Sequence, residues 1–211
     1  MKEQVIAVVP AAGLGKRFGE GTNKPFATLS DKPLLLWALE MLQSVPEITE
    51  IIPVVKEYDV TLCRKLFEEY SLSKIRRIAP GGRERQNSVF HGLNLIQDKA
   101  CVVLVHDAVR PLIEPSVIRN ALQQLHDCDG VVVAVPMKDT VKEVREGIVT
   151  KTPERDLLWA VQTPQIFHFQ ALYPAYEKAM ADSFYATDDS ALVERNGGTI
   201  KVVQGSYTNI K

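Results

Sequence analysis

Residues 10–19, PAAGLGKRFG, combine three glycines with two cations directly after an apolar run, and Lys24 follows a few positions later. Backbone N–H groups of such a strand-to-helix turn can converge on an anion, and nearby cations add full charge. The spacing departs from the dinucleotide-binding fingerprint, because Phe18 stands where the last glycine belongs, and it lacks the Gly-Lys-Ser/Thr ending of an ATP-type loop. On the glycines alone, a tight turn with solvated cations fits equally well.

Two further segments carry residues suited to binding an anion. Residues 79–88, APGGRERQNS, form a second glycine turn that enters a helical pattern, again with cations. Residues 106–111, HDAVRP, follow a buried strand, so Asp107 lies at the edge where open α/β sheets bind their ligands. Asp107 also fits a turn cap, and His106 is more typical of a packing or capping role than of catalysis.

Asp188 and Asp189, which follow Thr187, form a pair of carboxylates that could suggest a metal site. Thr and Asp at the start of a helix cap its first turn and complement the helix dipole. The sequence therefore favours a helix start at this point.

The pattern of apolar residues indicates which elements hold these segments. Short β-branched runs, typical of strands buried on both faces, occur at residues 5–9, 51–55, 101–105, 131–135 and 200–203. Helical spacing occurs at residues 33–43, 60–70, 85–96, 115–125, 170–181 and 188–196. This alternation predicts an α/β fold with a Rossmann-like doubly wound, mostly parallel sheet.

Residues 136–151 break the alternation. Polar and apolar side chains alternate here around Glu146-Gly147, which predicts an antiparallel hairpin. A two-stranded hairpin is marginal on its own. It must therefore either cover its own sheet or reach onto a second subunit.

Composition restricts the class of partner. The chain has 211 residues with 25 basic and 26 acidic side chains, so its overall charge gives no sign of binding to nucleic acid or to a membrane. Any anion site must be local. Three cysteines without a CxxC pair argue against a disulfide framework or a zinc ribbon and fit a reducing cytoplasm. The apolar runs are of strand length, and the first residues show no signal-peptide pattern.

Six ordered blocks together resemble the 2-C-methyl-D-erythritol 4-phosphate cytidylyltransferase family of the non-mevalonate isoprenoid pathway. The blocks are PAAGLGKRFG with the following NKPF, then GGRERQNSV, HDAVRP, PMKDTVK, LLWAVQTPQIF and YTNIK, and they span almost the whole chain. The resemblance implies that CTP and methylerythritol phosphate give the CDP-alcohol and pyrophosphate, with Mg²⁺. It also implies one nucleotidyltransferase domain over residues 1–211 and a homodimer with swapped hairpin arms at about residues 136–155. The expected location is the cytoplasm of a bacterium or the stroma of a plastid.

The resemblance also implies roles for individual residues. The nucleotide would be held by the first loop and by the second glycine turn, through Pro10, Ala11, Ala12, Gly13, Gly15, Lys16, Gly82, Arg85 and Ser88. Asp107 and Arg110 would lie between nucleotide and acceptor, and the acceptor would also meet Thr140, Arg155, Thr163 and Lys211. The catalytic cations would be Arg17, Lys24, Arg155 and Lys211, with Asp107 as the magnesium ligand.

Two departures from the family pattern stand out, and two other functions stay open. The family often has an arginine where Lys16 stands, which keeps the charge but loses bidentate geometry. Relatives continue past the block that ends at Lys211 into a closing helix.

A ribitol 5-phosphate cytidylyltransferase shares part of the pattern, although its first loop typically differs. A protein that binds CTP without turnover would not need cations around the α-phosphate.

Overall fold

The computed structural model of the protein describes residues 3–13 and 24–211. Its strands are β1 Val5–Pro10, β2 Thr28–Leu29, β3 Lys32–Pro33, β4 Ile48–Val55, β5 Ala79–Pro80, β6 Val102–Val105, β7 Gly130–Pro136, β8 Glu143–Arg145, β9 Ile148–Lys151, β10 Trp159–His168 and β11 Ile200–Gln204. Its α-helices are α1 Leu34–Ser44, α2 Val60–Glu69, α3 Arg85–Leu93, α4 Pro115–Gln123, α5 Phe169–Ala181 and α6 Ser190–Arg195. None of these helices has both the length and the apolar character needed to cross a bilayer.

A seven-stranded sheet in the order β11-β7-β10-β6-β1-β4-β5 organises the fold. β1 pairs in parallel with β4 and β6, β4 with β5, and β7 with β11. The carboxyl ends of β1, β4, β5 and β6 therefore meet at one edge. In open sheets of this kind ligands bind at that edge.

Helices cover both faces of the sheet. In β1, Val5, Ala7 and Val9 belong to the core shared with α1, α2 and α4, while Ile6 and Val8 belong to the core shared with α3, α5 and α6. A strand buried on both faces needs apolar side chains on both, which explains its unbroken apolar run. The predicted doubly wound, mostly parallel sheet is confirmed.

β10 is an addition to the predicted strands. It runs antiparallel between β6 and β7, with a register shift between Val161 and Gln165. Its first three residues are exposed and the next six are buried. The segment mixes polar residues and a proline with apolar ones, so it lacks the continuous run that marks the other inner strands.

The predicted hairpin is present as β8 and β9. Its turn has Glu146 at φ 51° and Gly147 at φ 80°, the pair of positive values that a two-residue hairpin turn requires. All residues of both strands are exposed. β8 and β9 form a sheet of their own, so the hairpin does not extend the central sheet. Its role in dimerisation stays a prediction, as does the single domain over residues 1–211.

Candidate active site

The two glycine-rich segments touch each other at the carboxyl edge of the sheet. The Ala11 N–H donates to Val54 O at 2.7 Å, and the Gly81 N–H donates to Val55 O at 2.7 Å, so both segments leave the sheet beside β4. A Cβ atom on Gly81 would lie 2.1 Å from the Cβ of Ala12. This approach needs a glycine, and it brings the start of the first glycine-rich segment beside the second.

The second turn is held by side-chain hydrogen bonds at the start of α3. The Ser88 hydroxyl accepts from the Gly82 N–H at 3.1 Å and donates to Glu84 O at 3.1 Å. The Asn87 side chain accepts from the Glu84 N–H at 3.1 Å. Ser88 is buried and its hydroxyl already has two partners. In this structure Ser88 shapes the turn, and a cytidine contact through it stays a prediction.

Asp107 lies at the centre of a group of cations. Its Oδ1 accepts from Arg85 Nε at 3.0 Å and its Oδ2 from Lys211 Nζ at 2.7 Å, while Arg110 Nε lies 3.8 Å from Oδ2. Burial alone would raise the pKa of this carboxyl, but the charges and hydrogen bonds of Arg85 and Lys211 outweigh it and hold the pKa well below its usual range. Asp107 is therefore a carboxylate at every physiological pH.

The role of Asp107 as the magnesium ligand stays a prediction, since both of its oxygens have other partners in this structure. Both carboxylate oxygens of Asp107 already accept from cations, and Arg110 adds a third positive charge beside them. Among residues 3–13 and 24–211, no group of three or more His, Cys, Asp or Glu side chains could hold a metal ion. Mg²⁺ needs carboxylate or other oxygen ligands that are free to coordinate.

Arg85 binds two carboxylates. Besides Asp107, its Nη1 and Nη2 donate to Asp189 Oδ1 and Oδ2, both at 2.8 Å. The guanidinium thus bridges two carboxylates, and the nucleotide contact of Arg85 stays a prediction. The sequence predicts only a helix start at Asp189. Its pairing with Arg85 joins residues far apart in the chain and has no local signal in the sequence.

His106 and Thr163 hold the loop that carries Asp107. The Thr163 hydroxyl accepts from the Asp107 N–H at 3.0 Å and lies 3.2 Å from His106 Nδ1, and His106 Nε2 lies 3.0 Å from Arg110 O. These partners assign the proton of a neutral imidazole to Nε2. Burial lowers the pKa of His106 to about 4. His106 has the packing role that its sequence position suggested, and the Thr163 hydroxyl is committed to the same loop.

Asn209 brings the C-terminal segment to the site. Its Nδ2 donates to Gln162 Oε1 at 3.1 Å and to Thr163 O at 2.9 Å, and its backbone oxygen accepts from Arg110 Nη1 at 2.6 Å. Asn209 is buried, and Lys211 follows two positions later. These hydrogen bonds attach the C-terminal segment to β10 and so place Lys211 beside Asp107. Asn209 carried no assigned role, although the block YTNIK contained it.

The remaining predicted residues belong to other segments or lie outside the described chain. Arg155 Nη1 donates to Lys138 O at 3.3 Å at the base of the hairpin, and Thr140 is exposed in the same region. Lys24 begins a short 3₁₀ turn, Lys24–Phe26. Gly15, Lys16 and Arg17 lie outside the described residues. A single chain therefore assembles Asp107, Arg85, Arg110 and Lys211 beside the glycine turns.

The doubly wound sheet, with two glycine-rich segments and a cation-rich cluster at its carboxyl edge, defines an α/β protein that can bind an anionic ligand there. A family model described as 2-C-methyl-D-erythritol 4-phosphate cytidylyltransferase matches residues 5–211. The chain belongs to this family.

Curated relatives and solved structures agree with the family model. The chain is 44% identical over 211 residues to the 2-C-methyl-D-erythritol 4-phosphate cytidylyltransferase of Geotalea uraniireducens, covering 99% of this chain and 91% of the relative. It is 43% identical to the enzyme of the same name from Desulforamulus reducens, covering 98% and 89%. The crystal structure of 4-diphosphocytidyl-2C-methyl-D-erythritol synthase from Anaerococcus prevotii superposes with a TM-score of 0.88 at 33% identity, covering 99% of this chain and 92% of that one.

Proposed function

We propose that the protein transfers the cytidylyl group of CTP to 2-C-methyl-D-erythritol 4-phosphate. A phosphate oxygen of the acceptor attacks the α-phosphorus of CTP, and the bond from that phosphorus to the oxygen bridging to the β-phosphate breaks. The products are 4-diphosphocytidyl-2-C-methyl-D-erythritol and pyrophosphate. The observation that carries this proposal is the cluster of Arg85, Arg110 and Lys211 around Asp107, beside two glycine-rich segments, in a chain of this family.

The nucleophile explains why a general base is not needed. The acceptor phosphate is largely dianionic at neutral pH and carries its own lone pairs. The obstacle is repulsion between two anions, so positioning and electrostatic stabilisation do the catalytic work. His106 lies near the cluster, but it is buried and neutral and its ring nitrogens are committed to the loop.

Lys211 and Asp107 have complementary tasks in this proposal. In the free protein the Lys211 ammonium covers Asp107 Oδ2. A hydroxyl of the polyol is a good donor to this carboxylate and can take the place of Lys211, which is 39% exposed on its side chain. The released ammonium then meets the phosphates. Arg110 adds positive charge, and its buried Nε has no hydrogen-bond partner among the described residues.

The first loop holds the nucleotide in this proposal. Backbone groups of residues 10–13 bind the base and phosphates, and Arg17 and Lys24 approach the α-phosphate from its two sides. Two cations placed there stabilise the charge that develops during attack. A magnesium requirement stays a prediction, and the described residues offer no ligand set for the ion.

A homodimer with swapped arms would complete the site. The arm and the residues just after it expose large apolar side chains to solvent, including Ile148 at 71% and Leu157 at 74%. Trp159 on β10 and Tyr207 near the C-terminus extend this exposed apolar surface. In the proposed dimer this surface is covered, and Thr140 and Arg155 reach the acceptor in the partner's site. The reported relatives are bacterial, and we propose a cytoplasmic location.

The test is the release of pyrophosphate from CTP with methylerythritol phosphate, with ribitol 5-phosphate and without acceptor. The proposal expects turnover with methylerythritol phosphate and little with the other two. A preference for ribitol 5-phosphate would identify the related enzyme, which the family match does not favour. CTP binding without turnover would identify a nucleotide-binding protein.

A further inference from the structure

Asp188 and Asp189 have different partners, although both precede α6. Asp188 holds the helix start: its Oδ1 accepts from the Ala191 N–H at 3.1 Å, and its Oδ2 accepts from Ser190 Oγ at 3.0 Å. Asp189 is 1% exposed and turns the other way, towards Arg85. The helix start therefore explains Asp188 and leaves the purpose of Asp189 open.

Asp189 binds the two terminal nitrogen atoms of Arg85. Both Nη atoms of Arg85 donate to the two Asp189 oxygens, and the Tyr176 hydroxyl donates to Asp189 Oδ1. Burial and the Asp189 charge raise the pKa of Tyr176 well above its usual range, so this hydroxyl stays a donor. The planar guanidinium is thus fixed by a fork of two parallel hydrogen bonds.

Held at that end, the Arg85 guanidinium lies where its Nε is the atom that donates to Asp107. The single hydrogen bond of 3.0 Å reaches Oδ1 and leaves Oδ2 to Lys211. If the charge of Asp189 were removed, Asp107 would become the nearest carboxylate for the whole guanidinium. Arg85 could then occupy both oxygens of Asp107 and compete with Lys211 for them.

We propose that Asp189 is a positioning residue, which keeps Arg85 from binding both oxygens of Asp107. Asp107 Oδ2 then stays available, so that a hydroxyl group of the acceptor can replace Lys211 there. The last step rests on the proposed function, in which Asp107 binds the acceptor's hydroxyl groups. Asp189 itself touches neither substrate.

The central variant is Asp189→Asn, which keeps the volume and removes the charge. The KM for methylerythritol phosphate is expected to rise about tenfold or more, while the KM for CTP changes less than about twofold. Asp189→Glu, which keeps a carboxylate, is expected to lie closer to the wild type. Equal increases in both KM values, or an acceptor KM within about twofold of the wild type, would overturn the proposal.

The matched control is Glu50→Gln. Glu50 is also buried and also grips an arginine with two hydrogen bonds, from Arg77 Nε at 2.8 Å and Nη2 at 2.7 Å, but it lies on β4 away from Asp107. Its loss is expected to lower Tm without changing the ratio of the two KM values. If Asp189→Asn does not fold, Tyr176→Phe decides: it removes one hydrogen bond to Asp189, and a selective two- to threefold rise in acceptor KM is expected, whereas no selective change overturns the proposal.

A second readout does not depend on turnover. The Arg85 Nε–H signal in a ¹⁵N spectrum, assigned by its loss in Arg85→Lys, is expected to move in Asp189→Asn and to stay in place in Glu50→Gln. An unmoved signal in Asp189→Asn would overturn the proposal. If the wild type failed to use methylerythritol phosphate, the proposed function would fall, while this signal would still test the control of Arg85 by Asp189.

Discussion

The Lys211 ammonium lies 2.7 Å from Asp107 Oδ2, although 104 positions separate the two residues in the chain. Asp107 follows strand β6. The hydrogen bond of Asn209 to β10 places Lys211 beside Asp107. Lys211, a candidate catalytic cation, is thus bound in the free protein to Asp107, a candidate acceptor-binding group. Binding of the acceptor and release of the cation would then be one event.

The first prediction concerns Lys24. If its ammonium mainly meets charge that develops during attack, Lys24→Ala lowers kcat much more than it weakens CTP binding. Loss of one preorganised donor of this kind costs about 3 to 4 kcal/mol, or about a hundred- to a thousandfold in rate. Steady-state rates and calorimetric CTP affinity measure the two effects. Lys65→Ala, on an exposed position of α2, serves as the control, and a near-normal kcat for Lys24→Ala would remove Lys24 from the proposed mechanism.

The second prediction concerns the contact between the two glycine turns. In Gly81→Ala the new Cβ would lie 2.1 Å from Ala12 Cβ and 3.3 Å from Val55 O, so the first loop must move. Overpacking of this kind costs about 1 to 3 kcal/mol, and the KM for CTP is expected to rise about tenfold. The double variant with Ala12→Gly removes the clashing atom and is expected to recover most of the loss. Equal KM values in the single and double variants would contradict this account.

The third prediction concerns His106 and pH. In the unfolded chain histidine binds its proton below about pH 6.5, whereas burial lowers the folded pKa to about 4. Between these values the unfolded chain binds more protons, so the stability is complete above about pH 6.5 and is lost as the pH falls towards 4. The loss in the free energy of unfolding is about 3 kcal/mol.

Urea titrations of wild type and His106→Gln between pH 4 and 7 measure this effect. Glutamine can offer a donor to Arg110 O and an acceptor to Thr163 without titrating. The variant is therefore expected to lose much of the pH dependence in this window. Parallel curves for the two proteins would show that His106 is not the titrating group.

The fourth prediction concerns the arm. If Arg155 acts in the partner's site, the variants Arg155→Ala and Lys24→Ala are each nearly inactive, yet a heterodimer of the two contains one intact site. Purified heterodimers are expected to show about half of the wild-type activity. Inactive heterodimers would mean that each chain builds its site alone.

The sequence predicted the layers of the fold because strands buried on both faces leave continuous apolar runs. Helix α1, for example, was expected at residues 33–43 and occupies Leu34–Ser44. β10 was not predicted, because its residues Gln162, Thr163 and Gln165 are polar. Their burial is possible only through hydrogen-bond partners elsewhere in the chain, such as Asn209 and Asp188. Tertiary hydrogen bonds of this kind leave no periodic pattern.

The site was predicted in part for a similar reason. Asp107 was found because it follows a buried strand, which is a local signal. Its ion pairs with Arg85 and Lys211, and the grip of Asp189 on Arg85, join segments distant in sequence. Only the packed sheet shows that Arg85 faces two carboxylates and that Thr163 is committed to His106.

The most direct test of the proposed reaction is to follow CTP and methylerythritol phosphate with the protein by ³¹P NMR. The account predicts that the CTP signals disappear while the signals of pyrophosphate and of a new diphosphate diester appear in equal amounts. This change is expected only when the acceptor is present. CTP signals that persist, or CTP that is hydrolysed to CMP without a diphosphate product, would contradict it.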